Sequence, residues 1–401
     1  MPHLEPTVTG FNACIDRVIP VTAGLLASLG TSAVPGAEPL HRRLVQAMRN
    51  YMADEWFVTD PDMYRSLTAL FWNTGSTAVG GQAGIAALHL RSVGVPSVTC
   101  VLPGAGPQVC ALLQQAGIST LDFGPKADLR TEAVHLVFEY PPGLIPPADG
   151  VTPRANRVIA SPLHDPATVL IPAGAMGDFL ASIAPCRRAF LSGYQYLRTE
   201  QDFITAAGQL SLIRDVHPGM RTHVECVTVA DRSVLSLMLR HILPNADSIG
   251  LNERELFLLL QVLRGGSPAV PVAGSLPACV RGAISLAEAT GVPRVHLHTF
   301  GYYLLVLDDG TAEPKRSRDA LLLAALAAAG AAGGGEQQLS QEGVSACDTL
   351  KETLGECDET GIFVSGSRLV IVVPTRIVQG IRKTAGLGDI ISSTAFVADQ
   401  F

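Results

Sequence analysis

The segment QAGIAALHLRSVGVPSVTCVLP, residues 82–103, does most to limit how this chain can fold. Its apolar residues lie on one helical face from Gln82, and Gly94 stands where a helix ends. SVTCVLP follows as a strand of the buried type. A helix feeding such a strand is a unit of a parallel sheet covered by helices. Similar apolar runs recur at 134–140, 189–193, 222–227, 248–252, 294–300, 302–308 and 368–374, alternating with helical patterns. The fold class expected is α/β, a doubly wound, mostly parallel sheet flanked by helices. At 401 residues, 47% of them hydrophobic, the chain is long enough for a large core or two domains.

Two stretches interrupt the alternation. Residues 21–73 read largely helical and more polar, and the proline-rich 141–157 must be irregular. The division expected is a larger domain from 1–20, 74–130 and 158–401, with a smaller lid from 21–73 and 131–157. Residues 332–360, rich in Gly, Ser and acids, are expected to form a mobile loop.

A net charge of -7 and the absence of a basic stripe with interleaved aromatics argue against nucleic acid as a partner. The eight cysteines show no C-x-x-C pair, so a zinc site is not expected; pairing of Cys347 with Cys357 stays open. The start, MPHLEPTVTG, lacks the pattern of a signal peptide, and the apolar run 320–335 is too short to span a bilayer. A cytoplasmic protein with no membrane segment, acting as a monomer, is the expectation.

The segment with most chemistry in it is Thr384-Ala385-Gly386-Leu387-Gly388-Asp389, between a strand-like run and a helical one. Glycines opening a helix leave backbone N–H groups uncovered, and with the helix dipole these attract an anion. Phosphoryl transfer asks for that cradle, and a carboxylate on the same turn can accept the proton of an attacking hydroxyl. A glycine loop with an acid in the first helical turn is the bland alternative.

TAGLGDIISSTAF resembles the C-terminal G-x-G-D signature of ribokinase-like sugar kinases, and its G-L-G-D form is similar to the ADP-dependent branch. Other segments follow in that branch's order: GFNACID, VGGQAG, HLVFEY with RANR, LSGYQ, His223-Val224-Glu225, Asn252-Glu253-Arg254-Glu255 and His296-Leu297-His298-Thr299. GLNEREL and the HLHT segment are particularly close to the eukaryotic ADP-dependent glucokinases. The resemblance implies a ribokinase-like fold whose larger domain binds nucleotide and whose lid closes on sugar. It makes Asp389 the catalytic base and places the anion hole at Gly386 and Gly388. Asp16, Gly80, Gly81 and Gln195 would contact sugar, and His298 and Leu387 would lie on the nucleotide side. Arg232 would neutralise the transferring phosphate. Mg²⁺ would be held near Glu225, Glu255 and Asp389, with ADP and glucose as substrates.

Each motif has a structural alternative. Asn252-x-x-Glu255 is also a capping box before LFLLLQVL. His223 reads as a hydrogen-bonding neighbour, and His296 and His298 share one strand face. Cys14 stands where archaeal relatives carry asparagine. Animal relatives have a long N-terminal extension with a membrane-directed segment, so an endoplasmic reticulum or secretory location is reserved for a longer form. Rival functions are an ADP-dependent phosphofructokinase, for which His41, Arg42, Arg43, Arg154 and Arg157 offer cations, an ATP-using kinase, and a non-catalytic sugar or nucleotide sensor.

Overall fold

The fold is built from short strands whose side chains alternate between two covered faces. In chain order they begin β1 (Thr7–Gly10), β2 (Cys14–Pro20), β3 (Asp54–Val58), β4 (Ser76–Gly80), β5 (Val98–Val101) and β6 (Ser119–Leu121). Then come β7 (Val134–Tyr140), β8 (Asn156–Pro162), β9 (Arg188–Leu191), β10 (Arg221–Glu225), β11 (Ser248–Leu251) and β12 (Arg294–His298). The last are β13 (Tyr302–Asp308), β14 (Gln337–Leu339), β15 (Ile362–Ser365), β16 (Arg368–Pro374) and β17 (Arg376–Val378). The computed structural model describes residues 4–401 apart from 105, 124–131, 133, 164–168, 230, 266–274, 334, 355–361, 382 and 400.

Among the described residues, ten strands form one sheet in the order β15-β16-β13-β12-β11-β10-β9-β1-β5-β6. Strands β12 through β6 along that order run parallel, while β13, β16 and β15 pair antiparallel. In β13, Leu304 and Val306 enter one core cluster while Tyr303, Leu305 and Leu307 enter another, so helices cover both faces. Helices Pro314–Ala332, Leu387–Asp399 and Gln82–Ser92 lie side by side on one face. Gly94 closes the last of these at φ +94°, as its place in the sequence predicts. The mostly parallel sheet flanked by helices is therefore the architecture present.

A second sheet, β3-β8-β7-β2-β4, stands beside the first, and the chain passes from β1 into β2 through only residues 11–13. This moves the expected boundaries: 14–20 and 76–80, assigned to the larger unit, are strands of the smaller sheet, as is all of β8. The cause is non-local. β2 is flanked by β4 and β7, pairings that its own apolar pattern does not reveal. Within 21–73 the helices Ala23–Thr31, Ala37–Asn50 and Pro61–Phe71 appear as read, interrupted by β3.

Of the mobile loop expected at 332–360, residues 334 and 355–360 lie outside the described residues, and much of the rest has regular structure. Strand β14 pairs with β17, and a helix runs Gln341–Leu354. Ala346 and Leu350, one turn apart, are both buried, so two apolar residues on one stripe anchor an otherwise polar helix. Cys347 is a free thiol in that helix; Cys357 falls outside the described residues. Among the described residues no helix is long and apolar enough to cross a membrane.

Candidate active site

The C-terminal ends of the parallel strands converge on one region, where ligands bind in open α/β sheets. Strand β10 ends at Glu225, β11 runs into the helix Glu253–Leu263, β12 ends at His298, and β9 leads to the turn Tyr194–Tyr196. The capping box is real: Asn252 Oδ1 accepts from Glu255 N at 3.0 Å, and Glu255 Oε2 accepts from Asn252 N at 2.8 Å. It also fixes the Glu255 carboxylate at the strand end, where the cap leaves it beside the other acids.

Asp389 lies in the first turn of the helix Leu387–Asp399 and is buried. Burial, then the nearby Glu225 charge, raises its carboxyl to about 7, against His298 and Arg157, which pull it down. Glu255 is also raised to about 7, mainly by burial. Burial pushes Glu225 upward too, but hydrogen bonds from His223 and His298 outweigh it and hold this carboxyl below its ordinary value.

The two histidines differ. Burial lowers His223, so its ring is neutral. Its Nε2–H donates to Glu225 Oε2 at 3.0 Å, its Nδ1 meets Ser248 Oγ at 2.8 Å, and Arg294 Nη1 donates to the same oxygen at 2.8 Å. A neutral ring satisfies every member of that chain, with the Ser248 hydroxyl donating to Nδ1. His298 is raised despite its burial, because Nε2 faces Glu225 Oε1 at 3.2 Å. Of the two, His298 is the one whose surroundings favour the charged form, and His223 is its neutral hydrogen-bonding neighbour on Glu225. His296 is buried and neutral between His298 and Tyr303.

Gly386, at φ +76°, makes the left-handed turn into this helix, a conformation glycine adopts without strain. Ile390 N bonds Gly386 O at 3.1 Å, so the N–H groups of Leu387, Gly388 and Asp389 lie in the first turn, before the helix's own bonds begin. The preceding residues are gripped by the smaller sheet. Glu139 on β7 accepts from Thr384 N and Ala385 N, each at 3.0 Å, while Arg157 on β8 donates through Nη1 to Thr384 O at 3.1 Å. Arg157 Nε and Thr384 Oγ1, both buried, have no hydrogen-bond partner among the described residues. Two unsatisfied donors at a helix N-terminus beside an acid suit an arriving phosphoryl group.

On the other side of Arg157 lies a second acidic pocket. Asp16 on β2 is buried and raised to about 7 by that burial; Lys383 and Arg157 oppose the shift and Glu55 adds to it. Glu55 on β3 is likewise raised to about 7 by burial, with Arg157 opposing. The Asp16 carboxylate occupies the space above Gly80, where a Cβ would come within 1.8 Å of Oδ1. Gly81 follows as the residue before the helix Gln82–Ser92. Gln195 is buried beside Tyr196, and Tyr196 feels both Glu55 and Cys14.

The structure thus gathers Asp389, Glu225, Glu255, His298 and Gly388 on one side and Asp16, Gly80 and Gln195 on the other. It does not bring Arg232 in: that residue is exposed at the start of the helix Arg232–Leu237, and no contact among the described residues joins it to the cluster. Arg157 is the arginine whose charge acts on Asp389. Glu139 and Glu55 are not among the residues the sequence singles out, although an acid inside the apolar run VHLVFEY is a visible signal, and Arg157 enters there only as a cation for the rival phosphofructokinase.

Residues 5–398 match the conserved region of ADP-specific phosphofructokinases and glucokinases. An ADP-dependent glucose/glucosamine kinase of Pyrococcus abyssi is 28% identical over 362 residues, 82% of this chain and 76% of that one. An ADP-specific phosphofructokinase of Methanosarcina acetivorans is 24% identical over 462 aligned residues, covering 99% and 94%. The solved structure of an ADP-dependent kinase in complex with fructose-6-phosphate and ADPbetaS superposes with a TM-score of 0.80 at 22% identity, over 98% of this chain and 93% of that one. Fold and conserved region together define an ADP-dependent sugar kinase. The chain belongs to the ADP-specific phosphofructokinase/glucokinase family.

Proposed function

We propose that the chain transfers the β-phosphate of ADP to the 6-hydroxyl of glucose, giving AMP and glucose 6-phosphate, as a glucokinase of the eukaryotic type. The observation that carries the choice of sugar is the acidity of the pocket around Asp16 and Glu55. Carboxylates accept several hydrogen bonds from sugar hydroxyls and repel a sugar that already carries a phosphate. Three of the five cations offered to a phosphorylated sugar are engaged elsewhere, while Arg157 faces the acids Asp16 and Glu55. Arg42 pairs with Glu38 and Arg43 with Asp54, each at 2.7 Å, and Arg154 stacks on Phe300.

In this reading Asp389 accepts the hydroxyl proton as the oxygen attacks phosphorus. The N–H groups of Leu387, Gly388 and Asp389 hold the phosphoryl oxygens, and Arg157 Nε and Thr384 Oγ1 complete the cradle. Arg157 takes the charge-neutralising role expected of Arg232. Asp16 and Gln195 orient the sugar against Gly80 and Gly81, and His298 and Leu387 border the nucleotide.

A divalent cation fits the nucleotide side, because Glu225, Glu255 and Asp389 crowd negative charge that His298 and Arg157 only partly offset. When bound, Mg²⁺ would neutralise charge on the diphosphate. Glu225 and Glu255 already spend their oxygens on hydrogen bonds, and no three of these groups bring ligand atoms within 4.8 Å among the described residues. They would therefore hold Mg²⁺ through its waters, the ion's usual habit.

The test is a Mg²⁺-containing assay crossing ADP and ATP with glucose and fructose 6-phosphate. AMP and glucose 6-phosphate are expected from the ADP–glucose pair alone. Turnover of fructose 6-phosphate in place of glucose would make the chain a phosphofructokinase, and ADP and glucose binding without AMP would make it a sensor.

A further inference from the structure

Among the described residues, three side chains do bring metal-ligand atoms together, and they lie in the sugar pocket. Cys14, Asp16 and His135 have one ligand atom each within 4.8 Å of the others, and all three are buried. The register explains it. Cys14 and Asp16, two residues apart, share one face of β2, and Asp16 stands opposite His135 on the parallel β7. Cys14 Sγ lies 3.6 Å from Asp16 Oδ1 and 3.4 Å from His135 Nδ1, and Nδ1 lies 3.7 Å from Oδ1.

Those separations are within a few tenths of an ångström of the edges of a coordination tetrahedron. With Zn–S near 2.3 Å and Zn–N and Zn–O near 2.0–2.2 Å, tetrahedral angles put ligand atoms roughly 3.3–3.6 Å apart. The three groups are already spaced for one ion, whereas the acids on the nucleotide side are not. Ligand type agrees: a thiolate and an imidazole select zinc-class cations and leave Mg²⁺ to oxygen sites. A thiolate and a carboxylate balance a dication, so the loaded site is neutral, and the thiol proton leaves to solvent. Three protein ligands leave a fourth position for water or solute.

We propose that Cys14, Asp16 and His135 form a binding site for a zinc-class divalent cation in the sugar pocket, mutually exclusive with sugar. The exclusion, though not the site, rests on Asp16 being a sugar ligand as proposed above. Zinc would then act as a reversible inhibitor competitive with glucose and insensitive to Mg²⁺.

The experiment is calorimetric titration of EDTA-stripped, dialysed protein with Zn²⁺ in buffer saturated with Mg²⁺, repeated with Co²⁺ to look for thiolate-to-metal charge-transfer absorption. One tight equivalent and that absorption band are expected for the unaltered chain. Cys14→Asn and His135→Gln should each weaken binding at least about tenfold, with circular dichroism confirming the fold. Cys14→Asn should abolish the band. Absence of a tight equivalent, or an affinity and band unchanged in both variants, overturns the proposal. Saturating glucose should weaken Zn²⁺ binding. If it does not, while both variants still lose the ion, the metal site stands and the sugar role of Asp16 falls.

Discussion

As the proposed base, Asp389 would have to be buried enough to bind protons near neutrality and still ionise. A carboxyl raised to about 7 does both, since a general base works best with a pKa close to the working pH. Asp389→Ala should lower kcat by about 10²–10⁴-fold while the protein stays folded. Near wild-type turnover in that variant would remove Asp389 from the chemistry. In the unaltered enzyme, kcat/KM for glucose should rise with pH and level off above about 7, because only the ionised acid accepts a proton. Glu55 offers a separate test of sugar choice. Glu55→Gln should raise the KM for glucose while relaxing exclusion of fructose 6-phosphate, and a glucose KM that does not move would dissociate Glu55 from the sugar. The sequence exposed Asp389 because its glycines and acid fall within six consecutive residues. Arg157 and Glu55 act from different strands, and nothing in their local sequence says that they meet.

At the scale of elements, the helix Leu387–Asp399 is held at both ends. Its N-terminal approach is gripped by Glu139 and Arg157, and at the far end Arg294 Nε meets Asp399 Oδ2 at 2.8 Å, both side chains fully buried. The same arginine orients Ser248 and, through it, His223 and Glu225. Removing one partner of a buried pair strands the other charge, at a cost of about 3–5 kcal/mol. Arg294→Met should therefore lower the urea midpoint sharply, and adding Asp399→Leu should recover much of the loss. A midpoint that hardly moves in the single variant would mean that Asp399 is satisfied without Arg294. Strands such as β7, β13 and β16 were legible almost to the residue, because apolar runs covered on both faces have few other fates. The helix Gln341–Leu354 was not, since two apolar anchors in a polar sequence carry little signal. Nor was the allegiance of β2 and β4, which is decided by partners far along the chain.

For the whole molecule, Asp16, Glu55, Glu255 and Asp389 all bind protons more tightly when folded, each near 7 against about 3.9–4.3 unfolded. Their contribution to stability is complete below about pH 4, declines as pH rises, and is lost above about 7. The ligand-free protein should melt at a higher temperature at pH 6 than at pH 8, and Asp389→Asn should reduce that difference. A melting temperature that rises from pH 6 to 8 would contradict the raised acids. Arg157 adds one consequence. It pulls on Asp16 and Glu55 in one pocket and on Asp389 in the other, so each pocket's occupant alters the charge the other pocket sees. With sugar and nucleotide bound as proposed, the two are thermodynamically linked: whatever factor ADP applies to the affinity for sugar, sugar must apply in equal measure to the affinity for ADP.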